Sequence, residues 1–218
     1  NIPTITFWCF WEEEIKINNN YGKLNINNNL DKHSHDKDFQ FVIKNIDYFY
    51  FASNFVRDIK NKKYNLKIKD HVFPTLSKNN LILKNSNVKS FDSQYITLLD
   101  AHSLKGGKLF AQLITKNPNL SFLAVKTEDE KTGTRLINEA INKVNNGKNK
   151  LLIERVNNVS EIYNKTKILL CPTQLDETFC RVVYEAFKNE IPVIFSNCGN
   201  LNYLPDNLLK VKNNDVNE

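Results

Sequence analysis

Residues 168–200 read ILLCPTQLDETFCRVVYEAFKNEIPVIFSNCGN. The pattern is that of a buried strand, a polar loop, an amphipathic helix and a second buried strand. Glu177 and Glu185 stand eight positions apart, one in the loop at the strand's carboxyl end and the other inside the following helix. Eight residues of helix rise roughly 12 Å at 1.5 Å per residue, about the distance from a sugar to the ribose across a diphosphate. The helix N-terminus between them offers free N–H groups and a positive dipole end to phosphate oxygens. The layout suits a nucleotide-sugar site.

The surrounding sequence supplies a sheet for this unit. From Tyr95 onward apolar runs alternate with amphipathic stretches: YITLL, a helix over 108–115, SFLAV, and a helix over 134–144. LLIE, a short helix near 160–164, KILLC, the helix over 181–188 and PVIFS complete the series. In the longer helix Leu136, Ile137, Ala140, Ile141 and Val144 keep helical spacing. Strands alternating with helices predict an α/β fold, a Rossmann-like parallel sheet covered on both faces. Its ligand belongs beyond the carboxyl ends of the strands, where both glutamates fall.

The first ninety residues differ. TITFWCFW reads as a strand running into an Asn-rich, low-complexity stretch that ends near Asp38. DYFYFAS reads as another strand, Ser53 as the cap of the helix NFVRDIKNKKY, and HVFPTL as a strand ending at Pro74. Residues 79–93 read as a linker. We expect a partial α/β domain with its linker over 1–92 and a second domain over 93–218. The chain has no methionine, and it reads as a fragment of a longer protein.

Composition excludes several classes. The net charge of +6 suggests phosphate affinity, but 26 of the 30 basic residues are Lys and 34 of the 218 residues are Asn. That joint excess is simpler as a coding bias than as a binding face, and no RNA-binding motif appears. We expect no nucleic-acid partner. No run of eighteen apolar residues occurs and the N-terminus lacks the features of a secretory signal. The expected location is cytoplasmic, without a transmembrane segment, which leaves peripheral membrane contact open. Cys9, Cys171, Cys180 and Cys198 have no zinc-like spacing. Cys9 and Cys171 read as buried small hydrophobes, and a reactive role for Cys180 is not favoured.

The 168–200 stretch resembles the donor-binding motif of glycosyltransferase family 4, the enzymes of GT-B fold. Pro172, Thr173, Glu177, Phe179, Glu185, Ala186, Pro192, Val193, Ser196 and Gly199 stand where that pattern places such residues. The E-x7-E spacing alone carries little, because 24 acidic residues produce such pairs by chance. The ordered run of ten matches carries the resemblance. It implies a GT-B C-terminal domain, nearly whole, preceded by the closing part of an N-terminal domain.

The resemblance implies a retaining transferase that moves a hexose from a nucleoside diphosphate sugar to a hydroxyl of a carbohydrate or glycoconjugate acceptor. In such enzymes the leaving diphosphate itself assists deprotonation of the acceptor. It implies that Glu177 bonds the donor sugar's hydroxyls and Glu185 the ribose. Lys105, with Gly106, fits half of the family's basic pattern after the first strand of this domain, and would neutralise the diphosphate together with the backbone of Thr178, Phe179, Cys180 and Arg181. No metal and no cofactor beyond the donor are expected, as for a metal-independent GT-B enzyme.

The chain departs from the pattern at three places. Asp100 occupies the position of the family's Arg, and Thr178 and Cys180 stand where glycines flank the Phe. Arg181 either compensates for the missing Arg or faces solvent. Arg155 sits near the base-binding loop and reads as a structural ion pair. Glu190 stands where a glycine often ends the helix, and Asn189 is expected to take the left-handed cap instead. His102 reads as a polar loop residue. His33, His35 and His71 form no ligand set with it, and Glu12, Glu13 and Glu14 mark a strand end on the acceptor side. These departures also admit an alternative: a degenerate, non-catalytic module that holds a sugar nucleotide.

Overall fold

The computed structural model describes residues 5–8, 41, 44–64, 69–73, 89–127, 131–144 and 149–211. The expected Asn-rich stretch, Cys9, the Glu12–14 run, His33, His35 and most of the 79–93 linker lie outside the described residues.

Two sheets organise the described residues. The smaller has the order β1-β2-β3, with β1 at Ile5–Trp8, β2 at Tyr48–Phe51 and β3 at Lys69–Val72, all parallel. In β2 burial alternates, so Phe49 and Phe51 enter the core, as the two-residue period of a strand requires. Between β2 and β3 runs α1, Asn54–Tyr64. The Ser53 Oγ accepts the Val56 N–H at 3.2 Å, which is the predicted N-cap. β3 begins before the expected His71 and stops at Val72. The Phe73 N–H still donates to the Phe51 carbonyl at 2.8 Å; Pro74, the expected strand end, lies outside the described residues.

The larger sheet has six parallel strands in the order β6-β5-β4-β7-β8-β9. They are β4 Tyr95–Leu98, β5 Phe122–Val125, β6 Lys150–Ile153, β7 Thr166–Cys171, β8 Val193–Ser196 and β9 Lys210–Val211. Among the described residues four helices connect them: α2 Gly107–Lys116, α3 Thr132–Lys143, α4 Ser160–Tyr163 and α5 Arg181–Lys188. The alternation of side chains in β5 shows how both faces are covered. Phe122 and Ala124 join a core with Phe110 and Ile114 of α2 and Ile137 of α3. Leu123 and Val125 point the other way and pack on Ile162 of α4. A third cluster holds Leu169, Val193 and Phe195 against Val183 and Ala186 of α5. The fold is the expected α/β arrangement of a parallel sheet between helices.

This strand order fixes where a ligand can sit. From β4 the chain moves outward to β5 and β6, then returns to place β7 on the other side of β4. The connections that leave β4 and β7 therefore diverge, and a crevice opens beyond their carboxyl ends.

The two sheets meet through α1. The Tyr203 hydroxyl donates to Asp58 Oδ2 at 2.6 Å, and burial together with that carboxylate pushes its pKa up to about 12. Beside this bond lies a cavity of about 580 Å³, lined by Phe55, Asp58, Lys62, Asp176 and Tyr203 among others.

One expected detail is corrected. Asn189 is not the left-handed residue after α5; its φ is −90°. Glu190 adopts φ 54° instead. Asn189 is buried, and its side-chain amide donates to the Glu185 carbonyl at 2.8 Å. The reversal thus passes to the next, exposed residue. A non-glycine side chain in this region costs about 1–2 kcal/mol. Glu190→Gly is expected to stabilise the protein by about 1 kcal/mol, seen as a rise in the midpoint of urea unfolding with no change in slope.

Candidate nucleotide-sugar site

The connection after β4 is a tightly bonded turn. Asp100 Oδ1 accepts the His102 N–H at 2.9 Å, and His102 Nδ1 accepts the Leu104 N–H at 3.0 Å. His102 thus caps the short 3-10 turn Ser103–Lys105, which brings Lys105 out at its end. Gly106, with φ 101°, separates Lys105 from the start of α2. A Cβ on Gly106 would stand 2.3 Å from Pro172 Cγ and 2.8 Å from the Pro172 carbonyl oxygen. Only glycine permits both that φ and that approach, so the connections after β4 and β7 touch here.

The connection after β7 is held from two sides. The Gln174 N–H donates to the Leu104 carbonyl at 2.7 Å. From the far side the 3-10 turn Gly199–Tyr203 reaches in: the Asn200 N–H bonds the Glu177 carbonyl at 2.7 Å, and the Gly199 N–H bonds Asp176 Oδ1 at 2.9 Å. Gly199 has φ 51°, and a Cβ there would lie 2.4 Å from the Glu177 nitrogen. The backbone at Glu177 is thereby fixed by contacts that allow little slack.

These two connections bring Lys105 and Glu177 together on one edge of the sheet, in an ion pair between Nζ and Oε1. Burial tends to lower the Lys105 pKa, but the Glu177 carboxylate outweighs it and holds the lysine above its ordinary value. Lys105 stays charged throughout the neutral range. The pair borders a cavity of about 150 Å³, shared with Asp100, Cys180 and Arg181.

Beside it lies a larger cavity of about 490 Å³, lined by Asp100, Lys126, Arg155, Tyr163, Arg181 and Glu185 among others. Glu185 is 3 % exposed and is satisfied there by two donors. The Tyr163 hydroxyl reaches its Oε2 at 2.5 Å and Arg181 Nη2 its Oε1 at 3.0 Å. Burial and the bond to Glu185 push the Tyr163 pKa up, so the phenol remains a donor. Tyr163 was not anticipated as a site residue. Its sequence signal, a tyrosine on the apolar side of a one-turn helix, does not distinguish it from a core aromatic. Arg181 does not simply face solvent. It is half-exposed, pairs with Glu185 and lines both cavities. Arg155 lines the larger cavity.

The residues before α5 divide into those that line the site and those that support it. Cys180 adopts φ 62°, ψ 65°, the left-handed region, which explains why a glycine suits this position. It gives α5 no side-chain cap, and the first N–H groups of a helix have no partner within it. Arg181 and Val182, the first two residues of α5, line both cavities. Phe179 is buried and stacks on Tyr184 at 4.5 Å with the rings 5° from parallel. Its ring supports the turn from behind. Phe179, Thr178 and Gly106 line neither cavity. Among the described residues no cluster of three His, Cys, Asp or Glu side chains could hold a metal ion. Among them, too, no helix is long and apolar enough to cross a membrane.

Comparison with known proteins agrees with this fold. Residues 107–207 match the family model of glycosyl transferases group 1. A glycosyltransferase from Rickettsia africae ESF-5 has a similar structure, with TM-score 0.64 and 17% identity, covering 83% of this chain and 54% of its own. Sucrose-phosphate synthase from Thermosynechococcus elongatus gives TM-score 0.62 and 18% identity over 87% of this chain and 52% of its own. Anabaena HepE in complex with UDP gives 0.66 and 12% over 86% and 57%. The fold is that of the GT-B glycosyltransferases. The chain spans about half the length of these structures. No curated protein matches its sequence.

The Gly199 contact provides a test of how the GT-B crevice is held. Gly199→Ala should destabilise the protein by about 1–3 kcal/mol, the usual cost of overpacking, because the added methyl meets backbone at Glu177. Chemical denaturation checks the magnitude. Hydrogen exchange should locate the loosening in 174–180 and leave α2 and α3 protected.

Proposed function

We propose that this chain is the donor-binding half of a retaining glycosyltransferase of family 4, using a nucleoside diphosphate hexose and transferring to an acceptor hydroxyl. The observation that carries the reading is the joint placement of Lys105, Glu177, Arg181 and Glu185 around two adjoining cavities at the switch point of the sheet. The structural relatives include Anabaena HepE in complex with UDP-glucose and with UDP, which supports a sugar nucleotide as the ligand. In this reading the larger cavity takes the nucleoside, with Glu185 accepting from ribose hydroxyls. The smaller takes the sugar end, with Glu177 accepting from its hydroxyls. Lys105, Arg181 and the N-terminus of α5 stabilise charge that develops on the leaving diphosphate. The carboxylates then position the donor, unlike the acid and nucleophile of a glycosidase. The cavity beside Asp176 and α1 is the place for a carbohydrate acceptor, since Asp176 adjoins Glu177 in the chain. The donor is the only small molecule required: no metal, no other cofactor and no nucleic acid enter this scheme, and the protein would work in the cytoplasm.

The alternative, a module that binds donor without turnover, draws on Asp100 in place of an arginine and on the left-handed backbone of Cys180. Donor hydrolysis and transfer assays on the full-length protein separate the two.

Paired titrations of a nucleoside diphosphate and its sugar conjugate test the assigned roles. Glu185→Gln keeps the shape of the buried side chain and should weaken both ligands alike. Glu177→Ala should spare the bare nucleotide and lose sugar-dependent affinity, or kcat where the contact strengthens in the transition state. The assignment is wrong if Glu177→Ala abolishes nucleotide binding while Glu185→Gln has no effect.

Lys105→Ala should cost about 1.5–3 kcal/mol of diphosphate binding, the range for hydrogen bonds to charged groups, with affinity for the free nucleoside nearly unchanged. Equal losses for both ligands in calorimetry would point to a misfolded site, because Glu177 is left partly buried without its cation.

A further inference from the structure

Cys171 closes β7, and Cys180 precedes α5; their sulfurs are 3.4 Å apart. Both border the small cavity that Lys105 and Glu177 share. Nine positions separate them in sequence, and the segment between them carries Glu177. The two residues differ in exposure: Cys171 is buried, while Cys180 is half-buried. A disulfide needs its sulfurs at about 2.0 Å, so the existing contact leaves little over an ångström to close. The third described cysteine, Cys198, is occupied otherwise, donating to the Leu175 carbonyl at 3.1 Å.

We propose that Cys171 and Cys180 are a dithiol modification site, which takes a two-electron oxidant of the peroxide class and closes as a disulfide across residues 171–180. Cys180, the more exposed residue, is oxidised first. Its sulfur attacks one peroxide oxygen, the O–O bond breaks, and a sulfenic acid forms as the first water leaves. The Cys171 sulfur then attacks the Cys180 sulfur; the S–O bond breaks, the S–S bond forms, and a second water carries away the oxygen and the last proton. Two thiols and one peroxide thus give one disulfide and two waters. The hydrogen bond with Cys171 and burial push the Cys180 pKa up, against the pull of Lys105. Since the thiolate is the nucleophile, the site responds to sustained and not to trace oxidant.

The bond would draw the residue before α5 towards β7 and tether both ends of the segment that carries Glu177. On the function proposed above, and only on it, closure should weaken donor binding roughly tenfold or more, as a misplacement of about an ångström can.

Sequence provides a clean readout. Trypsin cuts after Lys167 and after Arg181 and nowhere between, so both cysteines fall in one peptide, ILLCPTQLDETFCR, apart from Cys9 and Cys198. The folded protein is incubated with hydrogen peroxide, unfolded, alkylated with iodoacetamide, digested and weighed. The expected product is this peptide about 2 Da below its dithiol mass and without alkyl groups, reverting with dithiothreitol. Two alkyl groups, or a sulfinic or sulfonic acid at Cys180 without the cross-link, would overturn the proposal. Cys171→Ala should give no cross-link and leave Cys180 over-oxidised; an unchanged oxidation product in this variant also counts against it. UDP-glucose calorimetry on the reduced and oxidised protein is the second arm. Unchanged affinity after cross-linking would remove the effect on the donor. If the reduced protein binds no sugar nucleotide, the function above fails, while the peptide mass still decides the disulfide.

Discussion

The contact between Gly106 and Pro172 is the constraint from which the site follows. Parallel strands in this order leave a crevice beyond β4 and β7 whatever the side chains are. A crevice is not yet a site, because two loops of ordinary residues would keep their side chains apart. With φ 101° and no Cβ, Gly106 lets the turn after β4 lie directly on the proline that ends β7. The backbone bond from Gln174 to Leu104 locks the two connections in that position. Lys105 precedes the glycine and Glu177 follows the proline by five residues, so the ion pair between them is a consequence of backbone packing. The geometry is set before any ligand arrives.

Charge inside the crevice follows a second constraint. Burying a carboxylate without a partner is costly, and Glu185 is almost wholly enclosed. Tyr163 and Arg181 satisfy one oxygen each, while Glu177 has Lys105. The two cavities together are bordered by four cations, Lys105, Lys126, Arg155 and Arg181, and by three carboxylates, Asp100, Glu177 and Glu185. The site's own side chains are thus close to charge balance. In the proposed function an arriving diphosphate takes over cations that now serve the glutamates, and the sugar and ribose hydroxyls replace them as donors to those carboxylates. Donor binding is then an exchange of partners, which favours the complete sugar nucleotide over inorganic phosphate.

Much of this was legible in the sequence, for physical reasons. The helix Arg181–Lys188 was foreseen to the residue because its apolar positions recur at helical spacing between two unmistakable strands. Glu177 lies in the loop and Glu185 in the helix, because loop and helix positions follow from that same pattern. What could not be read depends on tertiary contact. Tyr163 meets Glu185 across 22 residues, and Cys171 meets Cys180 through a loop whose path is set by Gly199 from a third segment. Asn189 was the natural candidate for the left-handed turn by propensity alone. Burial of its amide against the Glu185 carbonyl overrode that preference and moved the turn to Glu190. β9 was missed because two residues, Lys210 and Val211, carry no period.

The departures at Asp100 and Cys180 gain a common physical sense from these contacts. An arginine at position 100 would bring a cation but no acceptor for the His102 N–H. Asp100 supplies that acceptor and stiffens the turn that presents Lys105. Arg181 borders the same cavities as Asp100, and on the proposed function it supplies the positive charge there. Cys180 is the less economical substitution. It holds a left-handed backbone that costs about 1–2 kcal/mol without glycine, and its side chain occupies space beside Glu177. Strain of this kind persists where the surroundings over-determine it, and it gathers at functional positions. Here the surroundings are a second thiol in van der Waals reach, in a cavity that on the present reading must admit the sugar end of the donor. A glycine would relieve the backbone but leave nothing for Cys171 to meet, so the strain at this position and the sulfur contact are one feature.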